Sequence, residues 1–77
     1  MIELFGSPTC HLCMKAKEYF AGKGVAYIEY NVLQDPVRKN EMVAATGLLG
    51  LPQIRINSNW YMGFDSGRLD EIIASLA

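Results

Sequence analysis

Charge of one sign is the first thing this chain has little of. Seven Lys and Arg stand against eight Asp and Glu, a net charge of −1, and the 77 residues contain no run of like charges. That balance argues against nucleic acid or an anionic membrane surface as the main partner. Long apolar runs are also missing: no stretch approaches the roughly 20 residues that a bilayer-spanning helix takes. No basic segment followed by an apolar one stands before Ile2, where the first strand starts, so a secretory leader is not expected. A reducing cytoplasm is the expected compartment. Cysteine is scarce, with two copies, and histidine occurs once. In a reducing setting two thiols three positions apart make a poor structural staple, because a loop of four residues barely constrains the unfolded chain.

What is present is a globular composition, 51% hydrophobic and 19% charged, long enough for one small domain spanning residues 1–77. The two cysteines lie in Cys10-His11-Leu12-Cys13. Ahead of them Ile2-Glu3-Leu4-Phe5 alternates like a strand, and Gly6-Ser7-Pro8-Thr9 breaks it. Behind them Leu12, Cys13, Ala16, Tyr19 and Phe20 recur at helical spacing until Gly22-Lys23-Gly24. Cys10 therefore falls at a helix N-cap, where unpaired N–H groups and the summed peptide dipoles stabilise a thiolate. Cys13, one turn deeper on the same face, is placed to close a disulfide with it.

The rest of the chain continues the alternation of strand and helix. Val25–Tyr30 is rich in β-branched and aromatic residues and reads as a strand parallel to the first. Asp35-Pro36 reads as an N-cap followed by proline at the first helical position, with Gly47 as the stop. Val37, Met42, Ala45 and Leu49 are the candidate apolar face of that helix. Gln53–Ile56 and Trp60–Met62 form a hairpin around Asn57-Ser58-Asn59. Asp65 then caps a last helix striped by Leu69, Ile72, Ile73 and Leu76. The expected fold is α/β, β-α-β-α-β-β-α, a four-stranded mixed sheet flanked by three helices.

A C-x-x-C pair beside a βαβ pattern suggests thioredoxin-like redox chemistry. With S-P-T-C-H-L-C at the start, T-G-L-L-G-L-P in the middle and M-G-F-D before the last helix, the whole chain resembles the glutaredoxins of the thioredoxin superfamily. The likeness is greatest to the small bacterial dithiol glutaredoxin-like proteins. The resemblance implies a thiol–disulfide oxidoreductase with Cys10 as nucleophile and Cys13 as resolving thiol. It implies a cis bond before Pro52, with the backbone of Leu51 pairing with an extended substrate. It implies no bound cofactor, and glutathione as co-substrate, its γ-glutamyl end at Asp65 beside Phe64 and its glycyl carboxylate near Lys39, with Arg38 adjacent. Disulfide-containing proteins would be the other partners, and the chain would act as a monomer.

His11, beside the nucleophile, is a candidate for tuning the redox couple. Lys15 and Lys17 read as a solvated helix face. Tyr19, Phe20, Tyr27 and Tyr30 read as core or its rim, and the four methionines as packing. Three departures from the family pattern bear on the electron donor. Ser7 stands where many glutathione-using members carry lysine, Met62-Gly63 where many carry Gly-Gly, and His-Leu where Pro-Tyr is common between the cysteines. Trp60 and Gly63-Phe64 echo the redoxins that serve ribonucleotide reductase and draw on thioredoxin reductase. A metal or iron–sulfur carrier is a further reading, but a closed zinc site takes four ligands and this chain offers two thiols and one histidine.

Overall fold

A computed structural model describes residues 1–76. The elements run β1 (Ile2–Gly6), α1 (His11–Lys23), β2 (Ile28–Asn31), α2 (Pro36–Thr46), β3 (Gln53–Ile56), β4 (Asn59–Met62) and α3 (Ser66–Leu76). The strands lie in the order β2-β1-β3-β4, with β1 parallel to β2 and antiparallel to β3, and β4 antiparallel to β3. The expected order of elements and the mixed four-stranded sheet are therefore the observed ones. No helix among the described residues is long and apolar enough to cross a membrane.

Central in the sheet, β1 is buried over its whole length. Its alternate side chains serve two different cores, because successive residues of a strand face opposite sides. Ile2 and Leu4 join Ala16 and Phe20 of α1, Ile54 and Ile56 of β3, and Leu69 of α3. Phe5 turns the other way and joins Val32 and Met42 under α2, rimmed by Tyr30, Leu51 and Trp60. Glu3 shares that second face and is also buried.

Several expectations shift by a residue or a face. The second strand begins at Ile28 rather than Val25, because Gly24 and Val25 are occupied in closing α1: both N–H groups bond back to Phe20 and Ala21 carbonyls. Gly22 lies inside that helix, and Gly24, at φ 66°, is the true stop. The hairpin loop is two residues, Asn57 and Ser58 at φ 49° and 76°, the geometry whose twist suits an antiparallel pair. Asn59 belongs to β4, where it pairs with Ile56.

The apolar face of α2 is the largest correction. Of Val37, Met42, Ala45 and Leu49, only Met42 is buried. The inward side of this helix is instead partly polar. Arg38 lies 4.4 Å over the Tyr30 ring and pairs with Glu41, whose carboxylate also meets Arg55 of β3. A hydrophobic-pattern reading cannot find a face built from charged side chains that stack and pair. Leu12 is likewise exposed, so α1 buries Cys13, Ala16 and Phe20, with Tyr19 packed half-buried beside them. Met1, Met14 and Met62 are exposed, leaving Met42 as the methionine that packs.

Candidate active site

Ser7 to Cys10 make a turn closed by the Cys10 N–H donating to the Ser7 carbonyl at 3.2 Å, with Pro8 at its second position. The turn delivers Cys10 to the N-cap of α1 in an extended conformation, φ −81° and ψ 112°. Its carbonyl accepts from Met14, and its Sγ accepts from the Cys13 N–H at 3.2 Å. That sulfur takes one of the orphan donors at the helix start. The first turn of α1 holds no acidic residue, so nothing there opposes negative charge on it.

Cys10 and Cys13 are joined as a disulfide, with Cα atoms 5.2 Å apart. The two sulfurs differ in access: Cys13 is 1% exposed, whereas the Cys10 residue is only partly buried. Gly6 explains how Cys13 reaches that depth. A Cβ at position 6 would stand 2.7 Å from the Cys13 sulfur, so the end of β1 must be bare for the thiol to seat against it.

The antiparallel register carries this site to the next strand. Phe5 pairs with Gln53, so one further step sets Gly6 opposite Pro52. The Leu51–Pro52 bond is cis, as the resemblance implies. Pro52 is buried, and its carbonyl accepts from the Gly63 N–H at 2.9 Å. Thus β1, β3 and the end of β4 bring Cys13, Pro52 and Gly63-Phe64 to one end of the sheet. Phe64 is half-buried with its ring 5.8 Å from Tyr19. Asp65 is exposed and caps α3, its Oδ1 accepting from the Arg68 N–H at 3.2 Å.

Lys39 is exposed in the first turn of α2, which leaves the sheet at the same end, since Asn31 pairs with Gly6 and Val32 bonds to its carbonyl. Lys39 has no ion-pair partner among the described residues, while its neighbour Arg38 is engaged by Tyr30 and Glu41. His11 is exposed at the first position of α1. Lys17 pairs with Glu29 across to β2 at 2.9 Å. A cavity of about 390 Å³ lined by Glu3, Arg55 and Trp60 lies at the opposite end of the sheet, away from the sulfurs.

Two residues at the site escaped the sequence reading. Gly6 carried a usable signal, a glycine closing a buried strand just before the cysteine turn. Gln53 carried none, since a polar residue beginning a strand normally faces water; here it is fully buried.

The sequence and the fold resemble those of known proteins. The family model described as Glutaredoxin matches residues 2–60. A glutaredoxin-like 8.6 kDa protein of the rubredoxin operon of Clostridium pasteurianum is 34% identical over 73 residues, covering 95% of this chain and 97% of that one. Glutaredoxin 3 of Escherichia coli is 30% identical over 64 residues, 83% and 77% of the two chains. The solved structure of the glutaredoxin-like NrdH-redoxin from Escherichia coli superposes with a TM-score of 0.79 at 21% identity, covering 92% of each chain. Sheet order, cysteine pair and cis-proline loop thus coincide with a family match over most of the sequence, and the chain belongs to the glutaredoxin family.

Proposed function

We propose that this chain is a dithiol thiol–disulfide oxidoreductase in which Cys10 attacks and Cys13 resolves. The observation that carries the reading is the asymmetry of the pair: one sulfur partly open at a helix tip, the other buried against Gly6. In the reduced protein the Cys10 thiolate attacks one sulfur of a substrate disulfide, forming a mixed disulfide and expelling the other half as a thiolate. Cys13 then loses its proton and attacks the Cys10 sulfur. The second substrate thiol leaves, and two electrons have passed from the protein to the substrate. The Cys10–Cys13 disulfide that results is the state described above.

Electrons return from an external thiol. The first reading takes glutathione as donor, with the Asp65 carboxylate and the start of α3 meeting its γ-glutamyl end beside Phe64. Exposed, unpaired Lys39 would meet its glycyl carboxylate, and Leu51 with Pro52 would hold its backbone. The Asp65 position and the freedom of Lys39 support it. The second reading takes thioredoxin reductase as donor. Ser7 and Met62, in place of the lysine and glycine of many glutathione users, favour it. His11 tunes the couple in either case. The reducing compartment that this chemistry needs is the cytoplasm, and the chain acts as a monomer on disulfide-containing proteins.

Cys10→Ser and Cys13→Ser separate the roles. The first is expected to abolish turnover. The second is expected to keep rapid alkylation at position 10 and, with glutathione, removal of glutathione from mixed disulfides, while losing protein-disulfide reduction. Alkylation across a pH series should place the midpoint of Cys10 reactivity at a pH well below that of a free thiol, so that it reacts faster near neutrality; reaction no faster than a free thiol would refute the assignment. Side-by-side NADPH assays, one with glutathione and glutathione reductase and one with thioredoxin reductase, decide the donor.

A further inference from the structure

Gln53 is fully buried at the start of β3, and its side chain points away from solvent into the loop between α2 and β3. Its Nε2 donates twice, to the Leu48 carbonyl at 2.9 Å and to the Gly50 carbonyl at 3.0 Å. Its Oε1 is buried with no partner. The orientation is forced: a flipped amide would aim its oxygen at two carbonyl oxygens. An orphaned buried acceptor is costly, whereas Leu48 and Gly50 are exposed and their carbonyls could be satisfied by water. Stability alone therefore gives little reason for a glutamine here.

The loop it grips gives one. Leu51 follows Gly50, and neither its N–H nor its carbonyl has a hydrogen-bond partner among the described residues. This free donor and acceptor are bracketed by two fixed points. On one side the Gly50 carbonyl is held by Gln53; on the other the Pro52 carbonyl is held by Gly63. We infer that Gln53 is a positioning residue whose side chain clamps the 48–50 loop so that the unpaired backbone of Leu51 is preorganised for an extended disulfide-bearing peptide. Preorganisation lowers the ordering cost of binding. The inference rests on the disulfide-exchange reading and adds to it the residue that sets peptide affinity.

Gln53→Met removes both donors and the orphaned acceptor while keeping the volume. The test mixes reduced protein with excess disulfide and follows a single turnover, in which the dithiol is oxidised and two substrate thiols are released. One probe is a blocked pentapeptide disulfide, which has backbone to pair; the other is hydroxyethyl disulfide, which has none. For Gln53→Met the half-saturating peptide concentration should rise about five- to tenfold, the scale of one or two neutral hydrogen bonds. The limiting rate, the rate with hydroxyethyl disulfide, the alkylation rate of Cys10 and the melting temperature should hold or, for the last, rise. Backbone order parameters at Gly50 and Leu51 should fall.

Unchanged half-saturation with the peptide would overturn the clamp, as would an equal loss with both probes. Gln53→Leu, which likewise offers no donor to the two carbonyls, should weaken peptide binding in the same way, and normal peptide binding by it would also overturn the clamp. Wild-type protein that oxidises with neither probe would instead defeat the disulfide-exchange reading itself.

Discussion

At the scale of single residues, the site works by giving two chemically identical side chains different surroundings. Cys10 has a backbone donor and partial access; Cys13 has a wall of β1 backbone that only glycine leaves open. If Cys13 resolves as proposed, Gly6→Ala is expected to slow closure of the Cys10–Cys13 bond more than the first attack, because the crowded atom is the Cys13 sulfur. Comparing the two phases in a stopped-flow trace checks this. Asp65 caps α3, and the glutathione reading gives it a second task that separates cleanly from the first. Asp65→Ala should lose the helix cap, about 1 kcal/mol, together with glutathione use. Asp65→Asn should keep the cap and raise the glutathione KM alone. Lys39→Ala should raise that KM with no change in unfolding, and an unchanged KM in both variants would remove glutathione from this groove.

At the scale of elements, α1 and α3 share one face of the sheet and are tied at their rims. The Tyr19 hydroxyl donates to Asp70, which also pairs with Lys23 at 3.0 Å. Burial, and then the neighbouring Asp70 carboxylate, push the Tyr19 hydroxyl up to about 12. Its folded value lies above its ordinary value of 10.0, so this contribution is present below pH 10 and is lost as pH rises through about 12. Burial and then the Glu3 carboxylate also raise the Tyr30 hydroxyl, so an ultraviolet titration should show two tyrosines ionising late, and Tyr19→Phe should remove one of them. The other face depends on α2, which contributes one buried apolar side chain, Met42. Met42→Ala should cost about 2–5 kcal/mol in denaturant unfolding, a large share for a domain of this size. Val37→Ala, at an exposed position of the same helix, should cost little by comparison.

For the molecule as a whole, the unexpected feature is the buried charge that joins three elements. Arg55 of β3 forks onto Glu3 of β1 at 2.7 and 2.6 Å and reaches Glu41 of α2 at 3.3 Å. It also lies 5.4 Å from the Phe5 ring centroid and 5.1 Å from that of Trp60. The guanidinium holds the Glu3 carboxyl below its ordinary 4.5, with the Tyr30 hydroxyl helping and burial opposing. A depressed folded value means that this stabilisation is complete above about pH 4.5 and disappears as pH falls through the lower folded value. Arg55→Met should strand the Glu3 charge and cost about 3–5 kcal/mol at neutral pH. The variant should recover part of that loss on acidification, opposite in sign to the wild type, and chemical unfolding at pH 7 and pH 4 measures both.

Periodicity and turn chemistry in the sequence were enough for the element order, the helix caps at Cys10, Asp35 and Asp65, and the glycine stops, because these are set by residues within a few positions of one another. The cysteine pair was legible for the same reason. Tertiary structure alone decided what lies far apart in the chain. It set Gly6 across from Pro52, turned Gln53 inward onto its own loop, and buried Glu3 against a partner 52 residues away. It also gave α2 a charged inner face where an apolar one was expected. A local pattern reports which side chains a segment offers. Which of them meet depends on strand register, and register is settled only when both faces of the sheet are packed at once.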